Sequence, residues 1–225
     1  MLQLAYYVLL VVIIISLGLA FKKSNASNKF LSGYYIVMCL FAGLVAALAL
    51  KGVYQSRTLP PRLALLGVLP AFAIISYFLT SSKFKLIINS FPIRFAIYFQ
   101  SFRIAVELLI FGAVLKGLGP EIISFNGRNY DILAGLTAPL VGWAYSRSII
   151  GKNMLLIWNI FCLMLLSNIV FIFMSLLINP HFWGYESTPI SMDLLTIPYV
   201  YIAAVYMPVA VFLHIMCIRK ILAKR

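Results

Sequence analysis

Arg103 and Glu107 stand four residues apart inside an apolar stretch that runs from 91 to 115. A charged side chain at the centre of a bilayer costs about 2.5–3.5 kcal/mol on insertion scales. Charges of both signs held at that depth imply a task for them. A spacing of four puts both side chains on one helix face, where they can pair as neighbours. Two chemistries follow: Arg103 could hold an anionic group, and Glu107 could take up a proton or a cation. The alternative is an ion pair or hydrogen bond that locks this helix to another, worth ~0.6–2 kcal/mol. Gln100 lies about 60° around the helix from Arg103 and extends the same polar face. Arg94, on the opposite side and near the helix end, suits a side chain that snorkels to headgroups.

Other polar residues could complete such a site. Asn159 and Asn168 are nine residues apart, hence on opposite faces of one helix. Asn168 is near mid-span and is the expected partner for Arg103 or Glu107, whereas Asn159 reads as interhelical glue. His214, on a helix with Tyr199, Tyr206 and Pro208, is a proton-carrier candidate or a packing residue. Asp131 opens a further apolar stretch, where a carboxylate complements the helix dipole and Asn129 could cap the same end. With Arg128 and Glu121 they could instead ring an outer mouth, so Arg128, Asn129 and Asp131 are the expected vestibule. Gly135, Ala138 and Gly142 follow on the face of Asp131 and would let another helix come close.

No cofactor is expected. The second histidine, His181, lies in a connection, so two histidines cannot hold a haem within the membrane. The last apolar stretch has no lysine for a retinal Schiff base. Cys39, Cys162 and Cys217 lack metal spacing and read as small core residues, so no metal site is expected. G-x-S-x-G, H-E-x-x-H and Walker A patterns are absent. Asp131 and Asp193 both fall at the ends of apolar stretches, which leaves no aspartate dyad in the bilayer. An enzyme is therefore not the expected class.

The elements that must position these residues are membrane helices. Of 225 residues, 64% are hydrophobic and 10% charged, against roughly 25% charged in a soluble domain. Mean hydropathy is +1.04. Most of the surface must face lipid, and the chain reads as one integral membrane domain, 1–225. Seven stretches approach the ~20 residues needed to cross the hydrocarbon: 2–21, 30–50, 63–80, 91–115, 130–145, 154–178 and 194–218. The fold class is an all-α polytopic bundle of about seven transmembrane helices. No alternating ten-residue pattern suggests a β-barrel. The first stretch has no preceding positive residue and is followed by Lys22 and Lys23, unlike a signal peptide, so it is expected to be retained.

The net charge of +13 does not imply nucleic acid, which would need a basic stripe on a soluble face. Lys and Arg instead fall in short segments between apolar runs and set orientation. One side collects Lys22, Lys23, Lys29, Lys83, Lys85, Arg94, Arg147, Lys152, Arg219, Lys220, Lys224 and Arg225. The other holds Lys51, Arg57, Arg62, Lys116 and Arg128. The richer side is cytoplasmic by the positive-inside rule, giving N-out and C-in. The Asn25-Ala26-Ser27 sequon then faces inside. Pro60-Pro61 leads into the third helix, 83–90 lies along the inner interface, and Phe182, Trp183 and Tyr185 join the outer aromatic belt.

Phe102-Arg103-Ile104-Ala105-Val106-Glu107 and the run from Gly127-Arg128-Asn129-Tyr130-Asp131 through Gly135-Leu136-Thr137-Ala138-Pro139 resemble a pattern in a family of uncharacterised bacterial seven-helix integral membrane proteins. Pro208 and Phe212-Leu213-His214 extend the likeness, which covers the chain from Gln100 onward. The resemblance implies the bacterial inner membrane and a seven-helix bundle, and no reaction. The partners expected are the lipid bilayer and a small solute or lipid headgroup. The functional expectation is solute binding or transport at the Arg103–Glu107 site. A membrane sensor or assembly subunit, with polar residues that only fix packing, is the alternative. Orientation is testable by itself: a cytoplasm-active reporter fused after Arg225 should be functional, and a signal from a periplasm-active reporter there refutes C-in.

Overall fold

The computed structural model describes residues 1–56, 58–184 and 189–223. Arg57, Tyr185, Lys224 and Arg225, used above for orientation and for the aromatic belt, lie outside the described residues. Among the described residues there is no strand. The helices are α1 (Leu2–Lys22), α2 (Asn28–Leu50), α3 (Ala64–Thr80), α4 (Ser82–Ser90), α5 (Ile93–Leu115), α6 (Ile132–Ser146), α7 (Lys152–Ile178) and α8 (Ile202–Leu222).

Five of these, α1, α2, α5, α7 and α8, are long and apolar enough to cross a bilayer. A sixth candidate is α3 with α4, which bends away by 70°. At 15 residues, α6 is shorter than the ~20 that a full crossing needs. Length and composition thus support five or six spans where the sequence suggests seven. The stretch expected from 194 begins its regular helix at Ile202, after a 3₁₀ turn, Met192–Leu195.

Local chemistry sets the helix boundaries and irregularities. The Ser27 hydroxyl accepts from Phe30 N–H at 3.2 Å and starts α2. The first turns of α3 and α8, Ala64–Val68 and Ile202–Tyr206, are π-helical. Each is followed by a proline, Pro70 and Pro208, which lacks the N–H that would bond to the carbonyl four residues back. The two widened turns pack on each other. A 3₁₀ turn, Phe99–Ser101, interrupts α5 just before Arg103.

The core is organised around α8, which packs on α7, α5 and α3, its first turn reaching α1. Tyrosine hydroxyls tie these helices through backbone carbonyls. Tyr206 Oη donates to Tyr6 O at 2.6 Å, Tyr6 Oη to Leu109 O at 2.8 Å, and Tyr201 Oη to Ala42 O at 3.2 Å. Such bonds link helices where the hydrophobic effect offers no drive between them. Lys22, Lys23, Lys29, Lys83, Lys85, Arg147 and Lys152 gather at one end of the bundle, within or beside the 23–27, 81–92 and 147–151 connections. The opposite end, called here the mouth, carries the described residues of the 51–63, 116–131 and 179–201 connections, the last two joined by the bond from Ser191 N–H to Leu118 O at 3.0 Å.

Close approach of α5 and α6 depends on small residues, as the spacing of Gly135, Ala138 and Gly142 implies. A methyl group at Gly135 would stand 2.8 Å from the backbone nitrogen of Ile104, and one at Gly142 would meet the Tyr98 ring at 2.8 Å. Backbone cannot yield as a flexible side chain does. Gly135→Ala should therefore destabilise by about 1–3 kcal/mol, the usual cost of overpacking. Gly33→Ala, with open space at its site on α2, should be neutral or mildly stabilising. Thermal unfolding in detergent reads both, and equal behaviour of the two variants would refute the packing argument.

Candidate functional site

The connection between α5 and α6 does not stay at the mouth. Antiparallel packing places Gly135 beside Ile104, so α6 begins near the depth of Glu107. That is about 12 Å below the end of α5 at Leu115, at 1.5 Å per residue. The preceding residues fold down into the bundle: Ser124, Asn129 and Asp131 are buried. Irregular backbone at this depth is tolerated only when protein satisfies its polar groups, and here it does. Arg128 N–H donates to Ile122 O, and Asn129 N–H to Ser124 O. Two side-chain amides serve the carbonyls: Asn129 Nδ2 donates to Ile123 O at 3.0 Å, and Asn168 Nδ2 to Arg128 O at 2.7 Å.

This dip carries Asp131 to Arg103. Arg103 Nε donates to Asp131 Oδ2 at 2.7 Å, and Nη2 pairs with Oδ1. The planar fork is thereby engaged side-on by a carboxylate, the geometry that suits guanidinium best. Nη1 meets His214 Nε2 at 3.1 Å, and Nη2 reaches Cys162 O at 3.5 Å. A single side chain from α5 thus holds the start of α6, the middle of α7 and the second half of α8. Arg103 is 1% exposed and Asp131 3%, so neither charge has water as a substitute partner.

The protonation pattern behind Arg103 follows from donor counting. Arginine only donates, so His214 Nε2 accepts and the imidazole is the neutral Nδ1–H tautomer. Nδ1 then donates to Asn159 Oδ1 at 2.8 Å. Asn159 passes its own hydrogens to Leu155 O at 2.8 Å and Cys217 Sγ at 3.3 Å. The edge of Trp158 covers the imidazole at 5.7 Å between centroids.

Glu107 is joined to the start of α6 through Asn129. Its Oε2 accepts from Asn129 Nδ2 at 2.5 Å. Asn129 cannot turn over, because its Oδ1 accepts the Asp131 N–H at 3.0 Å. The sequence left open whether Arg103 and Glu107 pair with each other along their helix or with groups on other helices. The ion pair present is Arg103–Asp131, and among the described residues no cation pairs with Glu107. The bidentate partner is Asp131, the last residue of the connection before α6.

Arg103, Glu107 and Asp131 end a cavity of about 220 Å³ that reaches up to the mouth. Its walls are apolar: Val106 and Ile110 of α5, Leu166, Ile169 and Phe173 of α7, and residues of both π turns, Ala64, Val68, Ile202, Ala203 and Tyr206. Tyr54, Leu59, Ile190 and Leu194 line it towards the mouth. Tyr54 is 1% exposed, and its hydroxyl has no partner among the described residues.

Several expected site residues lie elsewhere. Asn168 serves the Arg128 carbonyl and contacts neither Arg103 nor Glu107. Gln100 is buried, donates to Ala210 O at 3.1 Å, and leaves Oε1 unpartnered. Arg128 is exposed and lies 4.9 Å over the Trp183 ring, a cation–π contact. Glu121 is exposed as well. The vestibule expected from Arg128, Asn129 and Asp131 is thus divided, with one residue at the surface and two buried. Asp131 makes no side-chain cap for α6. Asn159, expected as glue, does bond across to the neighbouring helix, at His214 and Cys217, and so adjoins the Arg103 chain. Tyr54 was not foreseen, since nothing in a short connection marks one tyrosine as buried.

Removing one member of a buried ion pair strands the other, at about 3–5 kcal/mol. Arg103→Ala and Asp131→Ala should each incur that loss, and the double variant should lose clearly less than their sum. Additive losses in a thermal-unfolding cycle would refute the pairing. No family model, curated protein or solved structure matches the chain.

Proposed function

We propose that this chain is a multi-pass protein of the bacterial inner membrane, N-out and C-in, that binds or moves a small solute through the cavity above Glu107. In this reading it belongs with the uncharacterised family that its Phe102–Glu107 and Gly127–Pro139 runs resemble. The bundle has seven crossings: α6 completes its crossing together with the dipping 116–131 connection, and α3 forms another, with α4 bent away along the inner interface. The mouth faces outward, away from the basic end.

The observation that carries the reading is an apolar cavity that runs from the mouth to a buried carboxylate. Ligand sites combine mostly apolar walls with a few placed polar groups, and intramembrane ionisable residues mark solute or proton paths. The π turns at the wall support it further, since such turns gather at functional sites. The sensor or assembly reading draws on the Arg103–Asp131–His214–Asn159 chain, whose groups bond mainly to each other and serve packing. That chain and the Glu107 cavity are separable, so the presence of one does not argue against the other.

Native mass spectrometry of the detergent-purified protein, beside Glu107→Gln, tests the proposal. A small bound mass in the wild type that the variant lacks is the expected outcome. A bare protein in both forms, with equal stability, would refute the solute site and leave the packing or sensor role.

A further inference from the structure

The charges at the cavity floor do not sum to zero. Arg103 and Asp131 cancel as a bidentate pair. His214, behind Arg103, accepts from it and is therefore neutral. Glu107 is left. It faces a fixed amide, Asn129 Nδ2, through Oε2, and its Oε1 has no protein partner among the described residues. An isolated carboxylate in an apolar, water-poor site must be neutralised by a proton or by a cation. An anion is badly served here. Four of Arg103's five N–H donors already meet Asp131, His214 and Cys162, and the approach along the cavity meets Glu107.

We propose that the cavity selects an amphiphilic amine, with its ammonium on Glu107 and its apolar body against the α3, α7 and α8 walls. This rests on the solute-site reading above and adds the ligand's chemical class. An ammonium carries three donors and no acceptor, which matches the free Oε1 and asks nothing of Arg103. Val106, Ile110, Ile169, Phe173 and Ala203 offer the body only carbon. Tyr54 Oη, the unpartnered hydroxyl nearer the mouth, can donate to an acceptor at the ligand's far end. The assignment reverses the anion-binding role that Arg103 suggests in the sequence: its charge is spent on Asp131.

Three near-isosteric probes separate the possibilities on the wild-type protein: phenethylamine, phenethyl alcohol and hydrocinnamate, at neutral pH in a zwitterionic detergent. A ligand that binds only the folded state raises the melting temperature by mass action. The amine should raise it by roughly 5 °C or more at saturation, and the alcohol and the acid should not. Glu107→Gln should abolish the amine shift, Glu107→Asp should keep the amine's advantage over the acid, and Arg128→Ala at the surface should leave it unchanged. A shift from hydrocinnamate, or one from the alcohol equal to the amine's, would overturn the amine assignment and leave the solute cavity standing. So would an amine shift that persists in Glu107→Gln. No shift from any probe would overturn both. The comparison among probes needs no variant, so instability of Glu107→Gln does not remove the test.

Discussion

The guanidinium of Arg103 is the constraint on which this arrangement depends. A buried arginine without its carboxylate is among the most costly groups a membrane bundle can hold. Its partner, Asp131, is not on a neighbouring span at a convenient height. It arrives because the 116–131 connection folds about two helical turns into the bundle. Once Asp131 is in place, its remaining neighbours follow. Its N–H takes Asn129 Oδ1, which turns Asn129 Nδ2 towards Glu107 and Ile123 O. On the other side of Arg103, the single lone pair of a neutral imidazole sets the tautomer of His214 and, through it, the orientation of Asn159.

One consequence is a division of labour between charges that look equivalent. Arg103 and Asp131 satisfy each other and hold four helices in register, a packing role. Glu107 receives one hydrogen bond and, among the described residues, no ion-pair partner, so its free energy remains open to what enters the cavity. The division arises because a fork with two parallel bonds outcompetes a single flexible contact along the helix. The four-residue spacing of Arg103 and Glu107 then serves to put both at one cavity end, not to pair them.

The cavity lies where two widened helices meet. Pro70 and Pro208 each remove a backbone donor, and the preceding turns relax to π geometry. Their side chains, Ala64, Val68, Ile202 and Ala203, are small or branched and leave the space beside α7 unfilled. Polar groups of the dipping connection are satisfied within the protein, by Asn129 and Asn168. The wall of the cavity therefore stays apolar although irregular backbone lies close by.

Hydropathy alone was enough to read a helical membrane bundle, because apolar runs of about 20 residues have few other uses. It also drew attention to Arg103, Glu107 and His214, since ionisable groups inside such a run are rare; Asp131, at the end of a run, read as a dipole cap or part of an outer mouth and lies at Arg103. The small-residue face of α6 was legible from the spacing of Gly135 and Gly142. Pairing was not. Helical periodicity reports which residues share a face of one helix, and it carries no information on which helix stands opposite. For that reason Asn168 was expected at Arg103 and lies at the Arg128 carbonyl, while Asn159, expected as glue, does bond across to the next helix, through His214 and Cys217. The depth of the 116–131 connection was equally hidden, because Gly119–Asp131 has the polarity of any surface loop. Composition determined the environment and the candidate charges. Tertiary structure decided which carboxylate Arg103 takes, and hence which one, Glu107, has no ion-pair partner among the described residues.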